Sequence, residues 1–361
     1  MSKFLPKTLV LLPVIFFFAS CEQKETQPSN EEAISFAKEL ETQINKGDGE
    51  FLDKAFDEDV FIKRMDLPKT GFAKDFSKEI FNKANFGQKI CSQLTDADNI
   101  TFLKHFVKEE KHHLLFRLFL SKTSALNYYD FELVKSKGKC KVADVYVYLA
   151  GQTLAESMHE MFNVIYGTAE TESLSGAQLG GKLTTIRTLM KQGRSRDAKV
   201  LYDKIPDADK RTKTMGMMNV MICQQLTDDE YSQALNDYRQ RFPNEPNINF
   251  MMIDGYVLQK DYRKMLGAIN ALDSQINKDP MLDFHRYVAY KLLEKKDSAR
   301  LFLKKVIQHE PEFSLAMRSM IKDDLEDHNQ AEADSLIAIY RKKKKFDQRG
   351  LDDVIAIYGN K

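Results

Sequence analysis

The chain has 361 residues, 43% of them hydrophobic, which is enough for two or three domains of about 150 residues with apolar cores. Fifty-four basic residues against 53 acidic ones leave a net charge of +1, whereas nucleic-acid-binding proteins usually carry a strong basic excess, so no nucleic-acid partner is predicted. Tryptophan is absent, which argues against a binding face rich in aromatic anchor residues.

The first 20 residues have the pattern of a signal peptide. Lys3 and Lys7 precede the apolar run Thr8–Phe18, which is shorter than the roughly 20 residues needed to span a bilayer. The run leads into Phe18-Ala19-Ser20-Cys21, which resembles the lipobox of bacterial lipoproteins except that Phe18 replaces the usual Leu. The resemblance implies that Cys21 becomes an acylated N-terminus, taking up palmitate and anchoring the chain in a membrane. The alternative is an ordinary cleaved signal peptide with an incidental cysteine.

Residues 21–30 are polar and cannot bury apolar surface, so they are predicted to form a lipidated tether. The acidic residues behind Cys21 resemble the surface-export signals of some bacterial lipoproteins. They imply an outer-membrane protein, on the cell surface or on the periplasmic face. Both compartments are oxidising, and a Cys91–Cys140 disulfide is the pairing that we expect, with Cys223 an inert buried thiol. The cysteine spacing indicates no zinc site, and no metal or cofactor is predicted.

Residues 31–170 are predicted to form an α+β domain. Apolar periodicity indicates three helices, and alternating faces joined by polar turns then indicate two hairpins, which together make a four-stranded antiparallel sheet. The predicted helices are Ala33–Ile44, Phe51–Met65 with a break near Asp57, and Lys74–Phe86. The predicted strands are Ile100–Val107, His113–Leu120, Tyr128–Val134 and Cys140–Leu149.

This order of elements resembles the NTF2-like, cystatin-like cone over residues 31–150. The residues that carry the resemblance are the helix end Asn45-Lys46-Gly47-Asp48 and the closing hairpin Tyr129–Tyr146. It implies a helix packed into a curved sheet. The family includes isomerases, dehydratases, and binding or scaffold modules without activity.

Three polar side chains of the predicted sheet are candidates for a pocket inside such a cone: His105, Arg117 and Asp144. A buried Asp144 could act as a base with a raised pKa. The alternative is structural, with Asp144 paired to Arg117 or facing solvent. His112 and His113 lie beside a charged turn, where a solvated loop is favoured over a metal site.

Residues 151–167 form the pattern of an amphipathic helix, and the Gly-rich stretch Thr168–Gly181 is predicted to be a domain boundary. We therefore expect two separately folding units, at 31–170 and 180–361.

Residues 180–361 are predicted to be an array of helical hairpins. Alanines recur at spacings of 36, 34, 31 and 34 residues, and a proline follows several of them by twelve residues. This period resembles the tetratricopeptide repeat, in which an alanine lets two helices pack closely. The marker alanines are Ala198, Ala234, Ala268, Ala299 and Ala333, and the prolines are Pro246, Pro280 and Pro311. Where that family has a second small residue, this chain has Ile186, Ile222, Tyr256 and Tyr287, so an unrelated helical bundle is the alternative.

The resemblance to tetratricopeptide repeats implies a partner-binding groove along the first helix of each hairpin. The predicted groove is apolar with a lysine at one end, and it would suit an amphipathic or extended peptide with an acidic end. Its residues are Phe250, Ile253, Val257 and Lys260 in one repeat, and Met281, Phe284, Val288 and Lys291 in the next. The competing interpretation makes these residues core, covered by the cone or by the helix at 151–167.

The predicted fold is thus an α+β N-terminal domain with a curved four-stranded antiparallel sheet, followed by an all-α tetratricopeptide-like solenoid. The predicted function is that of a membrane-anchored envelope lipoprotein and not of an enzyme. Its helical repeats would bind an unidentified envelope protein or peptide. The alternative is small-molecule binding, or an isomerase-like or dehydratase-like activity, in the cone.

Overall fold

The N-terminal part of the computed structural model begins with five helices that precede the sheet. The structure describes residues 25–95, 98–120, 125–166, 174–343 and 346–359, so the predicted signal peptide and Cys21 lie outside it. The helices are α1 (Asn30–Asn45), α2 (Gly49–Ala55), α3 (Glu58–Arg64), α4 (Gly71–Ala84) and α5 (Phe86–Cys91). The break predicted near Asp57 is confirmed: it divides the segment Phe51–Met65 between α2 and α3, because the Asp57 side chain accepts from the Val60 N–H and begins a new helix.

The sheet is antiparallel, and its strands follow one another in sequence order. Its strands are β1 (Asn99–Lys108), β2 (Lys111–Leu120), β3 (Ala125–Ser136), β4 (Lys139–Val147) and β5 (Gln152–Thr153). Both predicted hairpins are confirmed. The expected number of four strands was wrong, because the chain turns back after β4 and pairs Gln152 with Val147.

One face of the sheet is packed by the chain's own first helix. Five apolar residues of α1 are buried, and they contact the side chains that alternate along β2 and β3, including Leu114, Phe116 and Phe131. Ser29 and Glu32 form a capping box that begins α1 just before this apolar stripe. A helix laid across one face of an antiparallel sheet is the arrangement expected of an α+β domain.

The C-terminal part is an array of helical hairpins that follows α6 (Leu154–Tyr166). Its first-helix members are α7 (Gly176–Lys191), α9 (Lys213–Cys223), α11 (Ile248–Leu258), α13 (Leu282–Leu292) and α15 (Ser314–Glu326). Its second-helix members are α8 (Ser195–Asp203), α10 (Asp228–Arg241), α12 (Tyr262–Gln275), α14 (Lys296–His309) and α16 (Gln330–Tyr340), and α17 (Gln348–Tyr358) closes the array.

Each marker alanine lies on the second helix of a hairpin and is buried there. The exposed fraction is 0% for Ala198 and Ala333 and at most 6% for the other three. An alanine at this position lets the two helices of a hairpin approach closely, so the 31-to-36-residue period of the sequence corresponds to one hairpin.

The second face of the sheet packs directly on the helical array. Leu115, Phe119 and Tyr128 of the sheet share one apolar cluster with residues of α11, α12 and α13, such as Ile269 and Leu282. This shared cluster means that each part covers apolar surface of the other. Separate folding of 31–170 and 180–361 stays a prediction. The shared cluster is the reason to test it, because each part alone would expose the apolar surface that the other covers.

The turn after β4 makes a second contact between the two parts. Gly151 adopts φ +71°, and a Cβ atom there would lie 2.5 Å from Nδ2 of Asn247 and 2.7 Å from the Tyr238 hydroxyl. Only glycine fits such a left-handed turn pressed against the array without displacing these side chains.

The three cysteines that the structure describes are free thiols, so the expected Cys91–Cys140 disulfide is not present. The Cys91 thiol instead points at the Ile44 carbonyl, at 3.7 Å, and burial raises its pKa. Burial also raises the pKa of Cys140, to about 12. In the described ranges, no helix is both long and apolar enough to cross a membrane.

Candidate functional site

Arg117 lies on the sheet face that contacts the array, and it is 1% exposed. Its guanidinium pairs with the buried carboxylate of Asp279 and, at 2.7 Å, with Glu310. Burial lowers the pKa of Arg117, but the two carboxylates outweigh that effect and leave the pKa raised. The Tyr128 hydroxyl, opposite Arg117 in the strand register, also donates to Asp279, at 2.8 Å. Arg117 is therefore part of a polar link between the sheet and the array.

Asp144 is also buried, but it serves a different contact. Its Oδ1 accepts from the backbone N–H of Val145 at 2.8 Å and of Ala155 at 3.2 Å. Since Ala155 lies in the first turn of α6, the carboxylate caps that helix from the neighbouring strand. Burial raises the pKa of Asp144 to about 6, although these hydrogen bonds and one with Thr153 oppose the shift.

His105 lies elsewhere and contacts a second histidine. Its Nε2 is 2.9 Å from Nδ1 of His112, and the His112 N–H donates to the Gln27 side chain. Burial lowers the pKa of His105, and the neighbouring His112 lowers it further. His105, Arg117 and Asp144 thus have separate partners, and the structure does not bring them together in one pocket.

His112 and His113 are consecutive in a strand and point to opposite faces. His113 is 2.9 Å from the Asp130 carboxylate, across the sheet from the His112–His105 pair. Within the part of the chain that the structure describes, no three His, Cys, Asp or Glu side chains are arranged to hold a metal ion.

The predicted groove on α11 and α13 is largely covered by the sheet. Ile253 and Met281 are 3% and 4% exposed and belong to the shared cluster. The Phe250 ring stacks edge-on to Tyr128, with centroids 5.9 Å apart, and Val257 and Val288 pack against the same cluster. The groove hypothesis for these residues is therefore corrected: they face the chain's own sheet, as in the competing core interpretation.

The remaining groove residues have other surroundings. Phe284 packs edge-on to Phe313, with centroids 5.1 Å apart. Lys260 is exposed, while the Lys291 ammonium pairs with Asp323 and, at 3.0 Å, with Glu326. A cavity of about 190 Å³ is left between the sheet and these helices, with His285 and Asp254 among its otherwise mostly apolar lining.

A larger groove lies at the N-terminal end of the array, where α6 meets α7 and α9, and it is here named the methionine groove. Its volume is about 610 Å³, and seven methionines line it. They are Met158 and Met161 on α6, Met190 on α7, and Met215, Met217, Met218 and Met221 on α9. Met215, Met217 and Met218 are buried in its floor, whereas Met158, Met161 and Met190 are half-buried and Met221 is 48% exposed. These last four side chains are therefore the part of the apolar lining that is open to a partner.

The rim of the methionine groove is basic. Lys83 of α4, Lys89 of α5 and Arg187 of α7 are exposed along it. The one carboxylate among the described lining residues, Glu160, accepts the backbone N–H of Thr214 at 3.2 Å. A positive edge beside an apolar floor suits a ligand with an apolar face and negative flanks.

Sequence reasoning missed the methionine groove, although one signal was present. Four methionines fall within the seven residues 215–221, out of 15 in the chain. Methionine is flexible and polarisable and is frequent on adaptable binding surfaces. The walls contributed by α4 and α6 come from the other part of the chain, and no local pattern places them beside α9.

In comparisons with known proteins, no family model matches this chain, and no curated protein or solved structure is significantly similar to it. The structure therefore defines only a general class, an α+β sheet domain followed by an array of helices.

Proposed function

We propose that this chain is an acylated envelope lipoprotein that docks a protein partner through its helical array and catalyses no reaction. The observation that carries the proposal is the methionine groove, which has a volume of about 610 Å³, an apolar floor and a basic rim. Specific interfaces combine such an apolar centre with a polar edge. The rival activities in the sheet domain lack a comparable basis, because His105, Arg117 and Asp144 each serve a different contact.

The proposal includes the finer identity of both parts. The burial of every marker alanine supports a tetratricopeptide-like array. The packing of α1 on one face of the antiparallel sheet supports an NTF2-like domain. Both parts would then serve as a rigid support, because the sheet and the array share an apolar cluster.

The proposed anchor is Cys21, and the described chain begins only four residues later. Glu25 is held by the Arg64 guanidinium at 2.9 Å, and Arg64 also contacts Glu132 of the sheet. An extended chain from Cys21 to Glu25 spans at most about 14 Å. An acylated Cys21 would therefore keep this side of the sheet domain close to the membrane, on whichever side of the outer membrane the protein lies.

Cell fractionation with labelled palmitate tests the anchor. Cys21→Ala should abolish the label and move the protein out of the membrane fraction, because the acyl chains are the proposed attachment. Cys91→Ala is the matched control and should keep both properties. A Cys21→Ala protein that stays membrane-bound and labelled would show that the lipobox interpretation is wrong.

Site-specific photo-crosslinking in the envelope tests the docking. A photoreactive residue in place of Met221 should give a discrete protein adduct. The same residue in place of Val200 on α8, which is 49% exposed, should not. Adducts of equal yield from both positions, or none from Met221, would contradict docking at the groove.

A further inference from the structure

The lining of the methionine groove is about as long as a short helix that could bind along it. Along α7, the lining residues Gly180, Leu183, Thr184, Arg187 and Met190 recur at three- and four-residue steps, so they form one stripe. At about 1.5 Å per residue this stripe is about 15 Å long. It matches the two to three turns over which an amphipathic helix presents residues i, i+3, i+4 and i+7.

The charges on the rim are spread over three helices. Lys83 already pairs with Glu79 at 2.5 Å, whereas neither Lys89 nor Arg187 makes an ion pair with another described residue. A single carboxylate, such as that of a fatty acid, would reach one of these cations. Several acidic residues along the flank of a helix could pair with both Lys89 and Arg187.

The hairpin of α11 and α12, in the middle of the array, shows that such a surface can be covered by apolar side chains. On α11, residues 18, 15 and 11 positions before the marker Ala268 are Phe250, Ile253 and Val257, and the sheet packs on them. The same positions before Ala198 are Gly180, Leu183 and Arg187, and they line the open groove. Of the equivalent positions on α7, Leu183 is buried within the array, while Gly180 is half-buried and Arg187 is exposed. The sheet thus covers this surface on α11 and does not cover it on α7.

We propose that the methionine groove binds an amphipathic helix of a partner protein, with its apolar face on the methionines and acidic residues beside Lys89 and Arg187. This inference rests on the proposed docking function and names the chemistry of the partner. Methionine side chains can adjust to different apolar side chains. The groove should therefore recognise the amphipathic pattern of a helix and not one particular amino-acid sequence. The acidic flank sets its orientation.

Synthetic peptides test the inference on the full chain carrying Cys21→Ala, by fluorescence anisotropy. The first peptide is an amphipathic helix of about 14 residues, which spans about 20 Å, with Leu on its apolar face and Glu along both flanks. The second has Lys in place of every Glu. The acidic peptide should bind at least about tenfold more tightly than the basic one, and more weakly as salt is raised.

Matched variants assign the binding to the groove. Lys89→Glu with Arg187→Glu should reverse the preference between the two peptides, whereas Lys191→Glu, on α7 outside the groove lining, should not. Met221→Asp should weaken the acidic peptide at least about tenfold, and Val200→Asp should leave it unchanged. All five substitutions are at exposed positions, and circular dichroism should report unchanged folding.

Equal binding of both peptides, or acidic-peptide binding that survives Lys89→Glu with Arg187→Glu, would overturn the inference. Binding of oleate that requires Met221, with no binding of the acidic peptide, would overturn it in favour of an acyl-chain site. The peptide experiment and the crosslinking experiment test the two proposals independently. An envelope adduct at Met221 without peptide binding refutes only the helix chemistry, and peptide binding without any adduct refutes the docking function.

Discussion

Two hairpins of the helical array use equivalent positions in different ways. In the hairpin of α11 and α12, in the middle of the array, Phe250 and Ile253 of α11 pack on the sheet, and Arg117 of the sheet crosses the same contact to reach Asp279. In the hairpin of α7 and α8, at the N-terminal end of the array, the equivalent positions on α7 line the methionine groove, and Arg187 stays exposed on its rim. One arginine is thus a structural link, and the other is available to a partner.

This difference teaches that position in a repeat does not decide what a surface does. The deciding factor is which neighbouring element covers it. A covered arginine must be paired, because an isolated charge out of water is costly, while an uncovered arginine is solvated. The following three predictions test this contrast, beginning with the largest expected effect.

Arg117→Ala should destabilise the protein by about 3–5 kcal/mol, because it leaves the buried Asp279 carboxylate without its cation. Chemical denaturation followed by circular dichroism measures the loss. Arg187→Ala on the exposed rim is the control and should change stability by no more than about 0.5 kcal/mol. Similar small losses for both arginines would mean that the link between sheet and array contributes little.

The double change Phe250→Ser and Phe284→Ser should lower the unfolding free energy by several kcal/mol, since Phe250 packs on the buried Tyr128 and Phe284 packs on the buried Tyr287. The melting temperature should fall accordingly. Met221→Ser in the open groove should change it little, because that side chain is already half exposed. A melting temperature that the double change leaves intact would restore the original hypothesis that these residues form an exposed groove.

Asp144→Asn should make the protein more stable at pH 7 and have less effect at pH 4. The folded-state pKa of Asp144, about 6, exceeds its ordinary value of 3.8. Between these values the folded state keeps a proton that the unfolded state has lost, so stability falls as pH rises from about 4 to 6. At about 1.4 kcal/mol per pKa unit the loss reaches about 3 kcal/mol, and asparagine avoids it while it still accepts the two N–H bonds.

Denaturation curves at pH 4, 5, 6 and 7 measure this effect in the wild-type chain and in Asp144→Asn. Asp130→Asn is a suitable comparison, because Asp130 lies on the same sheet but pairs with His113 instead of capping a helix. If the stability difference between wild type and Asp144→Asn is the same at every pH, Asp144 is not buried in the way described.

Much of the local structure could be predicted from the sequence. The two strand hairpins, α1 and α6 lie where their apolar periodicity placed them, within a few residues. The break predicted near Asp57 also lies where the structure has it, because the Asp57 side chain accepts from the Val60 N–H and begins a new helix. The candidate sites were less predictable, because the partners of Arg117 lie 162 and 193 residues further along the chain.

The sequence by itself determined the elements and the period of the array, because helix and strand patterns and the alanine spacing are local properties of the chain. Only the tertiary structure decided which face of each element is covered. The sheet has two apolar faces, and its sequence does not state that one receives α1 and the other receives α11 to α13. That choice depends on contacts between distant segments, and it covers the groove expected at Phe250 and Ile253 while leaving the methionine groove open.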